Sequence, residues 1–235
     1  MNKGLEFKNG AKAGIPIALG YIPIAIAFGI MSKASGIPNM ISILLSFVLY
    51  AGASQFVGVN MMALGATPWE IVMTIFILNF RHFLMSASLS QRIEEKASKK
   101  LMPLLAFGIT DETFSVASLR EERRIDPYFI LGLNTVAFGS WNAGTWLGVF
   151  LGAALPQSLQ GSMGIALYAM FIGLLLPSVK KSRPIFIVAA ISMLIHSMLK
   201  WLPMFAGLSS GLSIIAATIG AAALGALFFP KGVEE

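Results

Sequence analysis

Apolar runs of bilayer-crossing length recur from one end of this 235-residue sequence to the other. About 20 apolar residues cover the roughly 30 Å of hydrocarbon in a membrane. Runs that fit lie at 11–31, 40–66, 69–89, 101–119, 128–155, 163–179, 184–200 and 208–229. The fourth fits only if a membrane tolerates its "TDE", so the count is seven or eight. A soluble fold of this length needs a polar coat, and with 56% hydrophobic and 12% charged residues there is too little to make one. The expected fold is all-α, a polytopic membrane helical bundle. The first run follows Lys3, Lys8 and Lys12, as in a secretory leader. Its apolar stretch is too long for one, it holds Pro16 and Pro23, and no clear small-residue cleavage site follows. It reads as a retained segment.

The linkers are short ("SKASGIPN", "QRIEEKASKK", "REERRID", "PQSLQGS", "KKSRP"), and no tail is long enough for a second domain. Residues 1–235 therefore read as one integral membrane transport domain. The net charge of +6 does not point to nucleic acid, because Lys and Arg gather in loops between apolar runs. That pattern concerns topology and the lipid bilayer. There is no cysteine, so disulfides and thiolate metal sites are excluded. There is no H-E-x-x-H, Walker A or nucleophile elbow. The chain reads as a non-enzymatic secondary transporter with no cofactor and no metal site, run by gradients.

Loop charges orient such a protein, with Lys and Arg favoured inside. If the N-terminus is cytoplasmic and eight segments cross, ten basic residues lie inside and six outside, with the loop 92–100 as the misfit. If segments 1 and 4 are instead re-entrant, the ratio becomes 15 to 1. Both versions place the N- and C-termini in the cytoplasm, and both make segments 1 and 4 irregular. A faint repeat agrees: "AGASQFVGVNMMALG" (51–65) resembles "AGTWLGVFLGAALP" (143–156). The offset of 92 sets Gly20 on Glu112, as in two three-segment repeats whose broken segments 1 and 4 meet near the midplane.

Polar residues inside these runs are the candidate chemistry. "TDETF" puts Asp111 nine residues before Arg120, about 13 Å deep along a helix. Carboxylates at that depth are costly and mark functional sites. Gly108 loosens the helix, and Thr110 or Asp111 can cap a new one near Glu112. In "NFRHFLMSASL", Arg81 is eight residues from the polar stretch after Leu89, too far to snorkel easily. It needs Asp111, Glu112 or a substrate carboxylate. Asn79 and His82 share a face at i, i+3, and His82 could carry a coupling proton. "YAGASQF" offers close packing at Gly52 and an isolated amide, Gln55. "GYIP" (Gly20, Tyr21, Pro23) frees backbone carbonyls. Asn134, Trp141 and Asn142 are weaker candidates, and His196 reads as structural. The plain alternatives are a proline kink, a satisfied amide, and an ion pair that only pins two segments together.

Taken together, "GAKAGIPIALGYIPIAIAFG", "YAGASQF", "NFRHFLMSASL" and "TDETF" resemble the AzlC family, large subunits of branched-chain amino-acid exporters. The resemblance is clearest over 10–115. It implies export of valine, leucine and isoleucine across a prokaryotic inner membrane, with a small hydrophobic AzlD-type partner. The motif positions that carry it are Gly20, Tyr21, Pro23, Gly52, Gln55, Asn79, Arg81, His82, Thr110, Asp111 and Glu112. Proton antiport is the expected drive. The rival readings are a gradient-independent channel or uniporter for small polar solutes, and a structural membrane subunit.

Overall fold

The computed structural model describes residues 3–94, 98, 100–122, 124–151, 156, 172, 175–176, 179–180, 182–205, 207–208 and 210–229. In chain order the helices are α1 (Lys3–Ala34), α2 (Asn39–Leu44), a π-helical turn (Leu45–Leu49), α3 (Gly52–Ala63), α4 (Pro68–Ser90), α5 (Met102–Phe107), α6 (Asp111–Ser118), α7 (Pro127–Leu151), α8 (Arg183–Trp201) and α9 (Ser210–Phe228). A 3₁₀ turn, Pro203–Phe205, separates the last two. The architecture is an all-α helical bundle of the membrane type. Among the described residues four helices, α1, α4, α8 and the Gly211–Phe228 stretch of α9, are long and apolar enough to cross a membrane. The expected segment 163–179 lies largely outside the described residues.

The helices group into two compact units, Met1–Val59 with Leu78–Leu167, and Asn60–Ile77 with Tyr168–Glu235. In the first, α1 and α7 run parallel along a glycine seam. A Cβ on Gly10 would lie 1.9 Å from the Phe129 carbonyl oxygen. One on Gly132 would lie 2.1 Å from that of Phe7, and one on Gly148 2.2 Å from that of Ile26. Lipid tails are as apolar as leucine, so helices in a membrane associate by close backbone packing, which small residues permit. Gly10/Gly14 and Gly144/Gly148 repeat at the four-residue interval that keeps such residues on one face.

This seam corrects one expectation. Segment 1 is not broken: α1 continues for 32 residues through both prolines. Its backbone is held against α7 along nearly its whole length, while Gly20 and Pro23 sit on the exposed side. Nothing lies within 4 Å of a Cβ built on Gly20.

Among the described residues the broken segments are 2 and 4, and each doubles back. Segment 2 descends through α2 and the π turn, and α3 returns. Gln55 Nε2 donates to Ser46 Oγ at 2.8 Å, yet nine residues of straight helix span roughly 13 Å. The turn is Tyr50, at φ 42°, ψ 49°, in the left-handed region. Phe56 then meets Phe28 of α1, with ring centroids 5.4 Å apart.

Segment 4 is the opposed hairpin. Thr110 caps α6 in a capping box with Thr113, as the sequence led us to expect for a fresh helix here. The hairpin leaves and rejoins the same end of the unit. Arg92, just past α4, donates to the carbonyls of Ser118, Arg120 and Glu122 at 2.7–2.8 Å. Ile93 bridges Ile125 beside it. Residues 51–65 and 143–156, which the offset of 92 aligns, thus take different forms. The first is largely the return arm of a hairpin, and the described part of the second ends a continuous helix.

In the second unit α8 and α9 are antiparallel. Ser213 Oγ lies 3.2 Å from His196 Nδ1, and a Cβ on Gly225 would meet Val188 at 2.6 Å. None of α8 is buried within the unit.

Candidate functional site

The tips of the two hairpins meet beside α1, α4 and α7. Tyr50 at the first tip stacks near Phe107 at the second, ring centroids 6.0 Å apart, and both rings pack on Phe138 of α7. The depth follows from α4. Arg81, which reaches the second tip, is eleven residues before Arg92, or roughly 16 Å of helix, close to half the hydrocarbon thickness.

Two acidic side chains stand in the first turn of α6, where the helix dipole is positive. They take different partners. Asp111 Oδ2 binds Arg81 Nη1 at 2.7 Å. Glu112 accepts a hydrogen bond from the Tyr21 hydroxyl of α1, which also lies 2.7 Å from Thr110 Oγ1. The sequence left open which carboxylate Arg81 would meet, and the geometry resolves it as Asp111. Arg81 Nε is buried without a hydrogen-bond partner among the described residues, so the guanidinium retains a free donor.

A second network backs the first. Trp141 Nε1 donates to Gln55 Oε1 at 2.8 Å, Gln55 Nε2 donates to Ser46, and Ser46 pairs with Thr145 at 2.7 Å. Both ends of the Gln55 amide are therefore used. Trp141 stands edge-on to Tyr21, centroids 5.2 Å apart. Its far edge lies over Gly52, where a Cβ would approach within 2.7 Å. So Gln55 and Gly52 orient Trp141, and Trp141 packs Tyr21 in place.

Of the residues expected at the site, Tyr21, Thr110, Asp111, Glu112 and Arg81 form its polar centre, with Gln55 and Gly52 behind. Asn79 is one step away, its Oδ1 accepting from Ser54 at 2.6 Å. His82 has no hydrogen-bond partner among the described residues, although the charges of Arg81 and Asp111 both act on it. Gly20 and Pro23 face outward and are not brought to the site. Sequence reasoning missed Tyr50, Ser46 and Thr145. Tyr50 carried a signal, a phenol just before the small residues of "AGAS" inside an apolar run. Asn134, a weaker candidate, holds the second hairpin: its Nδ2 donates to the Leu105 carbonyl at 3.0 Å.

The arrangement presents one cation, two carboxylates and two phenols at mid-depth, walled by aromatic rings. It can bind a small zwitterion or hold protons.

Comparison with known proteins finds membrane proteins. The chain is 35% identical over 191 residues to the inner membrane protein YgaZ of Escherichia coli, covering 79% of this chain and 78% of that one. It is 32% identical over 187 residues to an uncharacterized membrane protein of Archaeoglobus fulgidus, covering 77% and 79%. It is 26% identical over 168 residues to the branched-chain amino acid transport protein AzlC of Bacillus subtilis, covering 71% and 65%. No solved structure matches. The family model for AzlC protein matches residues 16–155, a span holding both hairpins and all the charged groups of the site, and the chain is a membrane protein of the AzlC family.

Proposed function

We propose that this protein exports the branched-chain amino acids valine, leucine and isoleucine across the inner membrane by proton antiport. In this reading residues 1–235 act as one transport domain and as the large subunit of a two-component permease. The observation that carries the proposal is the meeting of Arg81–Asp111 with Tyr21–Glu112 between opposed hairpin tips at mid-depth. Ionisable groups there are expensive and serve substrates or protons. The name of the Bacillus subtilis relative supports the substrate class. The substrate carboxylate goes to Arg81 and its ammonium to Glu112. The branched tail goes to the apolar side chains around the tips. Such contacts differ by about 1–3 kcal/mol per methylene, so the three amino acids are separated poorly. Asp111 or Glu112 binds the coupling proton, with His82 the next residue in line.

A small hydrophobic AzlD-type subunit completes the permease. The exposed apolar side chains of α8, among them Phe186, Met193, Leu194 and Met198, support a partner. Orientation follows from charge. One end of the first unit holds Lys3, Lys8, Lys12, Arg92, Lys100, Arg120 and Arg124, and the other holds Lys33, among the described residues. The basic end, where α1 begins, is cytoplasmic in this reading, and the C-terminus is assigned to the cytoplasm as well.

The test is counterflow of labelled leucine in liposomes, with and without the small subunit and a pH gradient. Exchange that needs the partner, and net efflux that follows the proton gradient, are expected. Asp111→Asn and Glu112→Gln are then compared for exchange and for leucine-driven proton movement. At least one should keep exchange and lose coupling. Flux without saturation or proton dependence would favour a channel instead.

A further inference from the structure

Tyr50 bears two local costs. It is the one non-glycine residue at positive φ among those described, a conformation that crowds any Cβ. Its hydroxyl is buried with no hydrogen-bond partner among the described residues, although the residue is only 3% exposed. Costs of this kind persist where the surroundings enforce them, and they cluster at functional sites. Here the surroundings are the rings of Phe107 and Phe138, which hold the phenol at the junction of the two hairpins.

The charge on Glu112 stands in the first turn of α6, on the hairpin whose Phe107 ring packs near Tyr50. Tyr21 answers it with a hydrogen bond, and Tyr50 does not. At the junction of the hairpins Glu112 thus holds an engaged phenol from α1, while the opposite tip carries a disengaged one. An ammonium group offers three N–H donors and needs more than one acceptor. Glu112 supplies charge and one acceptor. A phenol oxygen supplies another, and it does so without adding a second negative charge at mid-depth.

We propose that Tyr50 is a binding residue of the transport site, its hydroxyl oxygen accepting a hydrogen bond from the ammonium group that Glu112 neutralises. This deepens the amino-acid reading and rests on it for the natural ligand. It makes the first hairpin part of the site, so ligand binding engages both tips together.

The experiment measures binding to the purified full chain by intrinsic tryptophan fluorescence, since Trp141 stands against Tyr21. Three probes are used: L-leucine, 3-methylbutylamine (ammonium without carboxylate) and 4-methylpentanoate (carboxylate without ammonium). Tyr50→Phe removes one oxygen and keeps the ring. It should weaken leucine and the amine by about tenfold, as expected for a hydrogen bond to a charged group, and leave 4-methylpentanoate unchanged. In a Glu112→Gln background the same change should have a much smaller effect, because both residues serve one ammonium. Equal binding of leucine and the amine by wild type and Tyr50→Phe would overturn the proposal. Tyr50→Phe should melt at or above the wild-type temperature, because removing an unpartnered hydroxyl should not cost stability, and a large loss would overturn the disengaged state on which the proposal rests. Wild-type protein that binds the amine but moves no leucine would sink the export reading and leave the role of Tyr50 standing. Leucine transport with an indifferent Tyr50→Phe would do the reverse, and a wild type that binds none of the probes, alone or with the small subunit, would sink both.

Discussion

Arg81 and Asp111 share one hydrogen-bonded ion pair, and each side chain is about a third exposed in the isolated chain. Losing either partner leaves a charge in a medium that solvates it poorly. Arg81→Ala and Asp111→Ala should each cost about 1.5–3 kcal/mol, the worth of a charge-assisted hydrogen bond. The double variant should cost clearly less than the sum. Thermal unfolding in detergent measures this, and strictly additive losses would show that the pair does not act as a unit. Gln55 makes a sharper case, since it is fully buried with both ends of its amide engaged. Gln55→Leu strands the Trp141 N–H and loosens Ser46, at about 1–3 kcal/mol for a buried group left unsatisfied. The same melting experiment reads it, and a variant as stable as wild type would mean that the network relaxes freely. These residues stood out in the sequence because an amide, a guanidinium and carboxylates are expensive in an apolar run. Their pairing did not stand out. Asp111 and Glu112 are neighbours of the same class, and only the direction each takes from α6 separates the partner of Arg81 from the partner of Tyr21.

At the scale of elements, the α1–α7 seam and the hairpins respond to different substitutions. Gly148→Leu drives a side chain into the Ile26 backbone, which cannot yield as a flexible side chain would. We expect a loss of about 3 kcal/mol or more, at or beyond the upper end for overpacking, read as a collapse in folded yield on size exclusion. Gly20→Ala is the control. It meets nothing, and alanine is the better helix former, so stability should hold or rise by about 0.5–1 kcal/mol. Equal behaviour of the two would disprove the seam. Arg92 fastens the exit of the second hairpin through three carbonyls. Arg92→Ala should speed hydrogen exchange over residues 118–125, and Arg92→Lys should restore little, because an ammonium lacks the planar fork. Unchanged exchange in both would mean that other contacts hold this end. The break in segment 4 was legible, since glycine followed by a threonine cap announces a new helix. The break in segment 2 was not, because 40–66 contains no proline and its turn falls on a tyrosine.

For the whole molecule, the opposed hairpins make the charge pattern coherent. Arg92 and Lys100, from the loop that was the misfit of an eight-crossing arrangement, join the basic end once segment 2 as well as segment 4 returns to its own side. The absence of native cysteine allows a direct test. A membrane-impermeant maleimide added to intact cells should label Lys33→Cys, and it should label Lys100→Cys only after permeabilisation. The opposite result would invert the assigned orientation. From the sequence alone come the medium, the helical class, most segment limits and the distance along the chain from Arg81, Asp111 and Glu112 to the nearest polar stretch. Each follows from how many apolar residues separate a polar group from water, a one-dimensional quantity. Tertiary structure decided which segments break and which residues meet. α1 carries two prolines and stays continuous, because a glycine seam against α7 holds its backbone. Segment 2 carries none and turns, because Ser46, Gln55, Thr145 and Trp141 from distant positions bond across the fold. In a membrane, backbone continuity depends on what packs beside the helix, and a neighbour more than a hundred residues away along the chain leaves no local mark.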